Sequence, residues 1–234
     1  MLERFDLAKE AGFDVVEILF PYDEPGQDIR SALIRYDQSL CLINAPPPNY
    51  TGGARGFAAV PGGEDRFRYD FKRVLRYASL LRPTHIHIMT GEAEQSDAAH
   101  QTFVDNLRWA CAEAPKQSLT IEPINTGDMP GYYLCDFDYA VAVLDEVDAP
   151  NLGLQFDAYH AHKITGDTMA TWDRFGSRAV HVQISGAEGR HEPIKGAIDY
   201  PAFFERLDSD GYAGVVSAEY NPAGSTIDGL GWLP

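Results

Sequence analysis

Short apolar runs alternate along the chain with longer segments in which apolar residues recur every three or four positions. The runs DVVEILF (14–20), SLCLIN (39–44), THIHIMT (84–90), SLTIEP (118–123), NLGLQFD (151–157), AVHVQIS (179–185) and GVVSAEY (214–220) read as strands. Helical spacing covers 3–11, 27–38, 64–82, 96–114, 136–147, 167–176 and 200–210, with a short helix expected after Ser225. In 64–82 the apolar positions are Phe67, Phe71, Val74, Leu75, Ala78 and Leu81, close to helical spacing. Gly12 reads as the C-cap of the first helix, and Pro21 stops the first strand. A Pro/Gly-rich loop from 45 to about 63 breaks the rhythm, and loops of that length inside a compact domain are usually functional.

Strand–helix alternation implies a parallel sheet covered by helices. The fold class is α/β, and residues 1–234 form a single barrel domain, because no shift in composition marks a boundary. Seven strands are expected where a closed barrel has eight, and the chain opens in a helix where an eighth, leading strand would stand. A doubly wound open sheet is the alternative, but no Gly-rich phosphate fingerprint opens a helix.

Composition narrows the function. A formal net charge of -16 opposes nucleic acid and anionic membranes as partners, since both need clustered cations. Cys41, Cys111 and Cys135 are odd in number and show no CxxC spacing, which favours free thiols in a reducing compartment. No apolar stretch reaches the length of a membrane span, and no signal-peptide core follows Met1, so a cytoplasmic protein is expected.

Chemistry concentrates at strand ends. Glu122, Asp157, Gln183 and Glu219 each stand at or near the end of a strand, one β-α unit apart. They meet only if the strands are parallel and adjacent, with their C-terminal ends at one face, where barrel enzymes place their active sites. Three carboxylates at the mouth of apolar strands would repel one another, and a divalent cation removes that cost. Oxygen-only ligands favour Mg²⁺ or Mn²⁺. Any one strand-end carboxylate is more often a cap or a salt-bridge partner; four on successive strands are harder to assign that way. His160, one turn past Asp157, is a candidate for touching a substrate oxygen, and Arg190, in a Gly-containing loop, for holding an anionic group. Asp128 would orient a His or the substrate, or simply turn the chain. Glu17 would line the cavity or pair with a neighbour. His85 and His87 share one strand face without an evident carboxylate partner and read as structural.

The segments IEPIN (121–125), DMPGYYL (128–134), LQFDAYH (154–160), HVQI (181–184), IDYPAFF (198–204) and AEYNP (218–222) resemble the hydroxypyruvate isomerase family. FPYD (20–23) and RGFAAVPGGEDRFR (55–68) fit it too, so the resemblance spans nearly the whole chain. It implies a xylose-isomerase-like TIM (β/α) barrel, with the sugar-acid 2-oxo-tetronate isomerases as near relatives. It implies metal ligands at Glu122, Asp157, Gln183 and Glu219, proton transfer by Glu122 and Glu219, and substrate contacts from His160 and Arg190. Many related epimerases have His where this chain has Gln183, which favours the hydroxypyruvate branch. Family members begin with a strand before the first helix, so the first barrel strand is missing here. The loop RHEPIKGAIDY (190–200) has Ile194-Lys195 where the family tends to read Gly-Thr, so specificity is expected to differ near it.

The reaction expected from the resemblance is metal-dependent isomerisation of a small 2-oxo acid, most simply hydroxypyruvate to tartronate semialdehyde (2-hydroxy-3-oxopropanoate). The alternatives are a 2-oxo-tetronate isomerase or ketose epimerase on the same site, and a non-catalytic truncated barrel whose open edge a partner covers. A homo-oligomer stays open. A metal phosphodiesterase of the nucleic-acid-repair type would need more His ligands and a basic groove.

Overall fold

The computed structural model describes residues 1–45, 55–194 and 196–233. Seven parallel strands are joined by helices: α1 (Glu3–Glu10), β1 (Val15–Ile18), α2 (Gly26–Arg35), β2 (Ser39–Asn44), α3 (Glu64–Leu81), β3 (His85–His87) and α4 (Asp97–Glu113). There follow β4 (Ser118–Ile121), α5 (Phe137–Val147), β5 (Leu152–Asp157), α6 (Ala158–Thr165), α7 (Thr168–Phe175), β6 (Ala179–Ile184), α8 (Tyr200–Ser209) and β7 (Val216–Ala218). The strand order runs β1 to β7 without reversal, which excludes a doubly wound sheet.

Helix starts follow local chemistry. Ser96, Asp136, Asp167 and Asp199 each accept a backbone N–H from the first turn of α4, α5, α7 and α8, satisfying one of the orphan donors there. In α3, Phe67, Phe71, Val74, Ala78 and Leu81 are buried, as their spacing requires. One helix was not expected: α6 begins directly after β5, capped by the strand's own last residue, Asp157, which accepts from the Tyr159 N–H at 2.8 Å. The helix expected after Ser225 reduces to a 3₁₀ turn at Leu230–Trp232.

Strand parity separates two environments. Phe156 on β5 turns to the helices, its ring 5.1 Å from Trp172, 5.5 Å from Phe137 and 6.0 Å from Phe203. Removing such a ring typically costs about 3–5 kcal/mol. The neighbouring Gln155 and Asp157 turn into the barrel. So do His85 on β3 and His181 on β6, whose rings lie 5.4 Å apart. The interior is therefore polar, and side chains bond across it: Glu17 on β1 accepts from Gln183 on β6 at 2.5 Å and meets His181 Nε2 at 2.8 Å.

The barrel has one unfilled place, between β1 and β7. All four residues of β1 are half-buried, as are Val216 and Ala218 of β7, whereas β3 is wholly buried. This is where the expected missing strand would lie. The loop expected between 45 and about 63 is described only from residue 55 onward; residues 46–54 and Lys195 lie outside the described residues. No helix among the described residues is long and apolar enough to cross a membrane. The three cysteines are free.

Candidate active site

All four strand-end groups sit at the C-terminal mouth. Glu122 follows β4, Asp157 closes β5, Gln183 is the penultimate residue of β6, and Glu219 follows β7. Asp157 and Gln183 are register partners in the β5–β6 ladder, so their side chains leave the sheet on the same side. A cavity of about 200 Å³ opens above them. Glu122, Glu219, His160, Arg190 and Asp128 line it, and Phe20, Met89 and Ile124 give it an apolar wall.

The functional groups are joined by fixed hydrogen bonds. Gln155, one strand-repeat below Asp157, donates its Nε2 to Glu122 Oε2 at 2.9 Å and to Gln183 Oε1 at 2.7 Å. Its own Oε1 accepts from Thr120 Oγ1 at 2.9 Å, so both ends of the amide are partnered. Glu17 does the same for Gln183: by accepting from Nε2 it leaves Oε1 turned toward Gln155 and the site. Arg190 Nη2 lies 3.1 Å from Asp157 Oδ2 and 3.0 Å from Glu219 Oε2, bridging two strand-end carboxylates. The Arg190 backbone has φ 54°, left-handed geometry that a non-glycine residue adopts at a cost. Asn221 N–H donates to its carbonyl at 2.8 Å and holds it there.

Electrostatics follow from burial. Burial raises the Glu122 pKa well above the ordinary carboxylate value, and Asp157 and Glu219 add to it. Glu219 is pushed up to about 8 by burial, with Arg190 pulling the other way and Asp157 and Glu17 adding to the rise. Burial lowers the pKa of His160, so the ring is neutral. Its tautomer is set by Asn125, whose backbone N–H and Nδ2 both point at Nδ1, at 3.3 and 2.8 Å. Nδ1 is thus the acceptor, and Nε2 carries the hydrogen. That N–H faces Asp157 Oδ2 at 3.6 Å and Glu122 Oε1 at 3.8 Å.

The donor set suits a hard divalent cation. Ligand atoms of Glu122, Asp157 and His160 lie within 4.8 Å of one another. Two of these are buried carboxylates held close together, an arrangement that is costly without a cation. The His160 tautomer makes its ring a donor to neighbouring oxygens rather than a ligand, which leaves the carboxylates and the Gln183 carbonyl oxygen as the hard donors.

The sequence-derived residues divide as follows. Glu122, Asp157 and His160 come together directly. Glu219 joins through Arg190, and Gln183 through Gln155. Asp128 lines the cavity, with the Tyr159 hydroxyl beside it; burial and Asp128 push that phenol up to about 12. Sequence reasoning gave His87 no carboxylate partner, yet its Nδ1 lies 3.6 Å from Glu122 Oε2 and 3.2 Å from Asn44 Oδ1. Gln155 and Asn125 were not singled out. Their partners stand on other elements, and the only signal was two amides within segments already rich in candidates.

Residues 5–234 match the xylose isomerase-like TIM barrel family. The chain is 41% identical to the 2-oxo-tetronate isomerase of Cupriavidus necator, over 99% of this chain and 91% of that protein. It is 34% identical to the hydroxypyruvate isomerase of Escherichia coli, over 99% of this chain and 92% of that one. A crystal structure described as an AP endonuclease, family 2, from Brucella melitensis superposes with a TM-score of 0.95 at 41% identity, covering 99% of this chain and 91% of that one. Barrel, polar mouth and sequence agree: the chain belongs to the xylose isomerase-like TIM barrel family.

Proposed function

We propose that the protein is a metal-dependent isomerase of small 2-oxo acids that interconverts hydroxypyruvate and tartronate semialdehyde. The observation that carries this reading is the convergence of Glu122, Asp157, Gln183 and Glu219 at one barrel mouth, beneath a cavity of about 200 Å³. That volume is below the about 300–1,000 Å³ typical of sites for drug-sized ligands, and suits an acid of three or four carbons. Relatives named for isomerases of small acids support the class.

In the forward direction one hydrogen leaves C3 of hydroxypyruvate and one is added at C2, while the hydroxyl proton passes from O3 to O2. No electrons are gained or lost overall, so no redox cofactor is required. Glu122 and Glu219 are the groups proposed to take and return the carbon-bound proton. They stand just past β4 and β7, with two strands between them, and both line the cavity in which a planar intermediate would lie. His160, neutral with Nε2–H facing inward, donates to a substrate oxygen. Gln155 holds the Glu122 carboxylate in place for the transfer. Glu122, Asp157, Gln183 and Glu219 would hold the cation, Mg²⁺ or Mn²⁺. When bound, it would supply positive charge beside the substrate oxygens and lower the cost of negative charge developing on them.

A four-carbon 2-oxo-tetronate is the second reading, favoured by the higher identity to the relative named for it. The endonuclease description of the Brucella protein does not transfer readily: a net charge of -16 and a small cavity oppose a nucleic-acid duplex. The test is turnover in D₂O on hydroxypyruvate, 2-oxo-tetronate and a neutral ketohexose, with product deuterium read by NMR. Deuterium at C2 of the three-carbon product supports the reading. Turnover of the ketohexose alone would replace it with a ketose epimerase or isomerase.

A further inference from the structure

Among the described residues Arg55 and Arg190 line the cavity, and their surroundings differ. Arg190 is already paired with Asp157 and Glu219. Arg55 has no carboxylate partner among the described residues, and its guanidinium lies 5.8 Å from the centroid of the Phe20 ring on the cavity wall. Its backbone is anchored. The next residue, Gly56, forms an antiparallel bridge with Thr90 just past β3. Gly56 has φ 98°, and a Cβ there would fall 2.1 Å from the Met89 carbonyl oxygen. Gly91 answers it: a Cβ there would fall 2.3 Å from the Gly56 carbonyl oxygen. Two backbones approach this closely only because both positions are glycine. Ala59 N–H then donates to Thr90 O at 2.9 Å, and Asn106 Nδ2 to Ala58 O at 2.9 Å, fastening the segment to the chain just past β3 and to α4.

We propose that Arg55 is the residue that receives the carboxylate of an acidic substrate, and so sets the preference for 2-oxo acids over neutral ketoses. This rests on the isomerase reading above. Glu122, Asp157, Glu219 and Asp128 together carry more negative charge than one divalent cation offsets, so a guanidinium beside the cavity favours entry of an anion. Arg190 is held between Asp157 and Glu219, at 3.1 and 3.0 Å, so turning it to the substrate breaks both contacts. Recruiting Arg55 breaks no ion pair. Its planar fork matches a carboxylate with two parallel N–H donors, and the Phe20 face beneath it favours a fixed orientation. A neutral ketose gains nothing from this contact.

The experiment compares Arg55→Met, Arg55→Lys and Arg190→Met with the wild type. The metal-loaded proteins are assayed on hydroxypyruvate and on its neutral analogue dihydroxyacetone, and calorimetry measures binding of glycerate as an inert carboxylate. Arg55→Met should raise KM for hydroxypyruvate and Kd for glycerate about 100-fold. Its kcat and its KM for dihydroxyacetone should change less than about threefold. Arg55→Lys, which keeps the charge but loses the fork, should fall between. Arg190→Met should instead lower kcat with both substrates and leave the preference for the acid in place. Unchanged KM and Kd in Arg55→Met overturn the proposal, as does loss of the acid preference in Arg190→Met alone. If the wild type turns over neither substrate, the isomerase reading fails. The carboxylate assignment is then decided by glycerate binding, where loss in Arg55→Met supports it and no change overturns it.

Discussion

Removing the charge of Glu219 should reshape the pH dependence of stability in the metal-free protein. The folded state holds this carboxyl at about 8, against an ordinary value of 4.5. Its folded pKa is therefore raised. The associated stability is fully present below about pH 4.5 and is lost as pH rises toward and through 8. Taken at face value, the displacement corresponds to about 5 kcal/mol. The side chain is 25% exposed, and solvent screening lowers the effective figure to on the order of 2–3 kcal/mol. In a chain of this size 1 kcal/mol moves Tm by about 2–4 °C. Between pH 5 and pH 8, in EDTA, the wild-type Tm should therefore fall about 5–10 °C further than that of Glu219→Gln, whose neutral amide does not ionise. A saturating divalent cation should flatten the wild-type curve, because it favours the ionised carboxylates. Differential scanning calorimetry across this range is the assay. Parallel Tm–pH curves for wild type and variant would refute the reasoning.

Gln155→Leu should weaken Mn²⁺ binding about 10–100-fold by calorimetry, because Glu122 and Gln183 both lose the amide that orients them. Glu17→Ala should act in the same direction through Gln183 alone, and Glu17→Gln should recover part of the loss because its carbonyl oxygen still accepts the Gln183 amide. Gly91→Ala should lower Tm and loosen the segment around Arg55, seen as faster amide exchange at Ala59, since the added methyl meets the Gly56 carbonyl. Cation binding should release protons at pH 7, measured as a dependence of calorimetric heat on the ionisation enthalpy of the buffer, because Glu219, held at about 8, starts protonated.

The alternation of strand and helix was legible because each element carries its own period. α3 shows this most clearly, with buried residues spaced four and three apart. The strand-end groups were legible because topology alone brings equivalent positions of a parallel barrel to one face. α6 was hidden because Asp157 ends a strand and caps a helix in one residue, leaving no turn between them to read. The partners of Glu17, His87 and Gln155 were hidden for a different reason: each bond joins side chains on different strands, and no local spacing encodes it. The same holds for Arg190. The sequence placed a cation in the right loop but could not show that two strand-end carboxylates already occupy it.

The most direct test of the central claim is isomerase turnover of hydroxypyruvate after EDTA treatment, followed by addition of Mg²⁺ or Mn²⁺, in the wild type and in Glu122→Gln. The account predicts activity that EDTA abolishes and the cation restores in the wild type, and no restoration in a folded Glu122→Gln. Undiminished activity in EDTA, or wild-type rates from Glu122→Gln, would contradict it.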